Sequence, residues 1–157
     1  MGVAEDESQP IDGSALPPTP NPEDPKYWEW TTDENGDRVR VENSFLHELY
    51  NEDVEKWEQL VNQYEQDNER VRQLLESKSA LREEMSMLQD ELTDWVQGET
   101  KIITYTIPHF IEDGSITMTE HTVVLTVDEA LNLMEEMNQL LESIGAKIDA
   151  IMMKWGQ

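Results

Sequence analysis

The sequence predicts a mainly α fold with a long coiled-coil helix, a β-hairpin, and a shorter antiparallel helix. These follow an N-terminal disordered acidic arm and a small β-hairpin. Three observations carry that prediction: an apolar seven-residue repeat that starts near Ser44 and runs to Gln97, a second one from Val127 to Trp155, and Gly-containing turns between runs of β-formers. The expected boundaries are 1–26 for the arm, 27–43 for the Trp-containing hairpin, 44–98 for the long helix, 99–125 for the second hairpin and 126–157 for the second helix.

Residues 1–26 hold six of the seven prolines, five acids before Asp24, and almost no large apolar side chains. Such a stretch buries too little surface to offset its ordering entropy, so a free, polyproline-like arm is expected. Its two roles would be a solvated tail or a segment that docks on a partner.

Around Asn35-Gly36, the alternating runs Tyr27–Thr32 and Arg38–Glu42 read as a hairpin closed by a type I′ turn. That centring sets Trp30 opposite Val41 and Thr32 opposite Val39, giving a small apolar face that must pack on something. Asp33, Asn35 and Asp37 resemble the start of a calcium loop, but the required glycine would fall at Arg38 and stands at Gly36.

For the long helix, Asn43 or Ser44 is the expected cap and Gly98 the residue past its end. Its a positions are Tyr50, Trp57, Tyr64, Val71, Lys78, Met85 and Leu92; its d positions are Leu46, Asp53, Leu60, Asp67, Leu74, Leu81, Leu88 and Trp95. Only Asp53, Asp67 and Lys78 break the pattern, and polar residues at core positions select register or mark water entry. At about 54 residues the helix spans roughly 80 Å. Beyond it, Lys101–Ile111 and Ile116–Leu125 flank an Asp113-Gly114 turn. Type I′ pairing there sets Ile103 opposite Val124 and Ile107 opposite Glu120, with His109 and His121 on opposite faces. This hairpin too must join another chain or rest on the helices.

Thr126 and Glu129 form a capping box that opens the second helix. Its heptads are unbroken: Val127, Met134, Leu141, Ile148 and Trp155 at a, and Ala130, Met137, Ile144 and Ile151 at d. Folded back antiparallel, it reaches only to about residue 69 of the first helix. Leu46, Tyr50, Trp57, Leu60 and Tyr64 are then left without an intrachain partner. Covering that stripe, together with Trp28 and Trp30 of the first hairpin, is the expected protein interface, and it predicts a homo-oligomer with a larger protein partner held through the arm and hairpin.

The net charge of −24 is spread evenly, with −8 over 1–43, −9 over 44–98 and −7 over 99–157. A field of that sign opposes direct nucleic-acid binding and favours basic partners. No run approaches the length of a membrane span, the acidic start lacks the features of a signal peptide, and Asp6 stands where a myristoylation site needs Ser or Thr. A soluble protein, intracellular or incorporated in a virus particle, is expected. With no cysteine, thiolate metal sites and disulfides are excluded. His47-Glu48 lacks the second histidine of a zinc-protease helix, and phosphate-binding and nucleophile motifs are absent, so no enzyme, cofactor or metal site is expected.

Three functional classes follow. The first is a non-enzymatic, oligomeric structural or assembly protein, such as a component or assembly factor of a virus particle. The second is an acidic mimic of nucleic acid that occupies the basic cleft of a DNA-binding protein. The third follows from the order helix, hairpin, helix over 44–155, which resembles the layout of prefoldin subunits and would imply a holdase. The unequal helices and extra N-terminal hairpin depart from that layout, so neither client binding nor six-subunit assembly carries over.

Overall fold

In the computed structural model, which describes residues 9–157, six regular elements follow one another. They are β1 (Glu29–Thr32), β2 (Arg38–Val41), α1 (Ser44–Thr93), β3 (Lys101–Phe110), β4 (Ile116–Leu125) and α2 (Val127–Lys154). The arrangement is mixed α and β rather than mainly α, because β3 and β4 are ten residues each. The described chain divides into two compact units: residues 9–12 with Asp67–Gln157, and Gly13–Gln66.

In the larger unit, the heptad seam is the core. Leu74, Leu81, Leu88 and Trp95 cluster with Ala130, Leu133, Met137 and Ile144. The antiparallel return ends where the length arithmetic placed it, since the Trp155 indole N–H donates to Asp67 Oδ2 at 2.9 Å. Asp67 also accepts from Lys154 Nζ at 2.9 Å, so this acid in a core position is matched by the end of α2. The capping box forms as expected: Thr126 N–H and hydroxyl both donate to Glu129 Oε1, each at 3.0 Å. Those bonds, the backbone one first, hold the Glu129 carboxyl below its ordinary range.

Helix α1 is capped by Asn43, whose Oδ1 accepts from Phe45 N–H at 2.9 Å. It stops at Thr93 rather than near Gly98. Trp95 is buried just past the helix end, its indole donating to Glu99 O at 3.0 Å, and Gly98 supplies positive φ to a separate turn from Val96 to Glu99.

Both hairpins are shifted by one residue from the expected pairing. Trp30 pairs with Arg40 and Thr32 with Arg38. Ile103 pairs with Val123, Ile107 with Thr119 and Phe110 with Ile116. The cause is common to the two. A type I′ turn needs positive φ at both central residues, and here only Gly36 and Gly114 have it, at 86° and 91°. Gly36 N–H donates to Asp33 O, and Gly114 N–H to Ile111 O. These are type I turns closed by a glycine bulge, which adds one residue to the loop. A one-residue slip moves every side chain to the other face. His109 and His121 therefore share a face, with His109 opposite Thr117 and His121 opposite Tyr105.

The β3–β4 hairpin rests on the helices. Ile103, Tyr105, Ile107 and Leu125 pack against the core from one face. Towards the tip the buried side changes, with Pro108 buried and Phe110 and Ile116 packed inward, as the twist of a two-stranded ribbon permits. No helix among the described residues is long and apolar enough to cross a membrane.

Candidate protein-interaction surfaces

In the unit Gly13–Gln66, the stripe expected to need a partner is covered by its own chain. Tyr64 is buried, and Leu46, Tyr50, Trp57 and Leu60 are half-buried. Residues 1–8 lie outside the described residues, but the prolines from Pro17 onward form a strap. Three indole N–H groups hold it by proline carbonyls: Trp57 to Pro17 O at 3.0 Å, Trp28 to Pro22 O at 2.8 Å and Trp30 to Pro25 O at 3.2 Å. Proline fixes φ in advance and loses little entropy on docking, so a few directional bonds suffice to order the segment. That saving is why a segment expected to be free from its composition is instead ordered from Pro17 to Pro25.

Tyr27 ends the strap, buried, with its ring 5.1 Å from Tyr50 and its hydroxyl donating to Asp53 Oδ2 at 2.7 Å. The second acid at a core position is thus also partnered inside the chain. Burial, then the bond to Asp53, pushes the Tyr27 phenol up from 10.0 to about 12. Because the folded chain holds that proton more firmly than the unfolded one, stability is level below pH 10 and falls as pH rises towards 12. Alkaline titration at the tyrosinate absorbance is expected to show a late step that Tyr27→Phe removes.

Trp28 and Trp30 are half-buried on the hairpin. The slipped register puts the arginines of β2, rather than its valines, on the face of these indoles: Arg40 lies 4.2 Å from the Trp28 ring centroid and Arg38 4.8 Å from that of Trp30. This cation–π ladder, with Arg40 also paired to Glu23, leaves Val39 and Val41 exposed on the other face. Beside it Tyr27, Trp28, His47 and Tyr50 line a cleft of about 530 Å³.

A surface that sequence reasoning missed lies on the larger unit. Ile102, paired directly with Val124, is 73% exposed and Val124 61%. Around them on the same outer face stand exposed Thr104, Met118, Glu120 and Thr122. The Thr104 and Thr122 hydroxyls bond each other at 3.0 Å, so covering them leaves neither unpaired. Of the twenty residues in β3 and β4 only Lys101 and Glu120 carry a full charge, in a chain with 35 acids. The slipped register hid this face, since the type I′ pairing put Val124 beside Ile103 rather than Ile102.

No group of three or more His, Asp and Glu side chains gathers as a metal site among the described residues. No family model, curated protein or solved structure matches the chain.

Proposed function

We propose that this chain is a non-enzymatic structural and assembly protein that works as a homo-oligomer within a larger complex, the components and assembly factors of virus particles being the class with this character. The observation that carries the reading is the outer face of β3–β4. It is apolar and β-branched, bears one charge, has its threonine hydroxyls already paired, and belongs to a sheet that has two strands among the described residues. A chain of net charge −24 repels its own copies over most of its surface. A nearly neutral face is where that repulsion is least and apolar burial most rewarding. The covered stripe no longer calls for a second chain, so the seat of association moves from Leu46–Tyr64 to this hairpin.

Because the chain has no cysteine, single substitutions report on the contact. Under mild oxidation Ile102→Cys is expected to give a disulfide-linked dimer, whereas Leu131→Cys, exposed on α2, gives far less. Equal, slow cross-linking of the two would remove the support for this face.

A further inference from the structure

We propose that the open edge of β3 is a docking strand for an extended, basic segment of a protein partner. The backbone supplies the first part of the argument. Ile111 N–H donates to Ser115 O at the closing turn, and the register runs unbroken from Phe110–Ile116 to Lys101–Leu125. Since hydrogen-bonded pairs alternate along an antiparallel ladder, the odd-numbered residues of β3 turn their backbone groups towards β4. The N–H groups of Ile102, Thr104 and Thr106 therefore point to the edge that no further strand among the described residues pairs with. At the next such position stands Pro108, which has no N–H to offer. The edge is thus open over its first half and blocked beyond it.

Alongside that open half runs a groove of about 320 Å³ between β3 and α1. Its floor includes Leu88 and Met137, both buried, and Met87 stands 56% exposed at its side. An added strand would place alternate side chains on this floor, the arrangement by which strand addition combines main-chain affinity with side-chain selection. Flexible methionines suit such a surface because they adapt to the incoming side chain.

The rim selects the charge of the occupant. Glu84, Asp90 and Glu91 line the groove. The chain's own Lys101 already sits there with Nζ 3.2 Å from Glu91, which shows how a cation is received. A lysine- or arginine-bearing segment gains from this rim and from the overall charge of −24, whereas an acidic segment meets like charges. The edge and the outer face adjoin at Ile102 and Thr104, but the edge uses their backbone N–H groups and the outer face their side chains, so this inference does not depend on self-association.

The test uses the full chain and a labelled six-residue peptide of alternating valine and lysine, with its valine–glutamate counterpart as comparison. The lysine peptide is expected to bind and to slow amide hydrogen exchange at Ile102, Thr104 and Thr106, and the glutamate peptide to do neither. Thr104→Pro removes one outward N–H and the hydroxyl bond to Thr122 while leaving the backbone bonds to β4 in place, and is expected to weaken binding by about tenfold. Binding that is unchanged in Thr104→Pro, absence of binding, or binding without protection of those three amides would each overturn the proposal. Should Thr104→Pro fail to give the circular dichroism of the parent, the exchange pattern of the unsubstituted chain decides alone. The mass of the free chain enters none of these outcomes, so the assembly reading stands or falls separately.

Discussion

Replacing Leu81 by alanine is expected to lower the unfolding free energy by about 2–5 kcal/mol, the range for truncating a fully enclosed leucine. Leu81 is 0% exposed at a d position, midway along the core formed with Leu74, Leu88, Met137 and Ile144. Helix α1, helix α2 and the hairpin all contribute to that cluster, so no single neighbour can move to fill the space. Such a loss is a large share of the 5–15 kcal/mol typical of a domain. Urea denaturation followed by circular dichroism measures it, and Met87→Ala, at a 56% exposed position, is expected to change it by about 0.5 kcal/mol or less.

Deleting residues 1–26 is expected to cost on the order of 5 kcal/mol. The estimate combines Ile11 of the larger unit, 0% exposed, with the half-buried Tyr50, Trp57 and Leu60. At roughly 1.5–3 kcal/mol per fully buried side chain, the half-buried ones are discounted accordingly. Trp57 loses its bond to Pro17 and enters water, so tryptophan emission is expected to shift to the red as the urea midpoint falls. Trp57→Phe keeps most of the ring contact and loses only that bond, for about 1 kcal/mol. An unchanged midpoint and emission in the truncated chain would mean that the strap does not shelter the stripe.

Both results bear on what the sequence made legible. The burial seam of α1 and α2 follows directly from apolar spacing, and the capping box at Thr126 and Glu129 from local chemistry. The end of α2 near Asp67 follows from rise per residue alone. Turn type was the weak link, because Asn35-Gly36 and Asp113-Gly114 fit either a type I′ turn or a type I turn with a glycine bulge. The backbone of the first residue of each pair decides, and no side chain announces it. That single ambiguity moved Trp30 from valine to arginine and concealed the Ile102–Val124 pair. The strap was missed for another reason: proline-rich composition signals low burial, and the three indole donors that hold it are scattered along the chain at Trp28, Trp30 and Trp57.

The proposed association through the outer face of β3–β4, with the N-terminal stripe satisfied within its own chain, makes the mass of the protein in solution depend on Ile102 and Val124. Light scattering across a range of concentrations tests it most directly, comparing the unsubstituted chain with one carrying Ile102→Lys and Val124→Lys. The expected mass rises above 18.2 kDa with concentration for the first and stays at 18.2 kDa for the second. A mass of 18.2 kDa for the unsubstituted chain at every concentration, or equal association of the two, would contradict it.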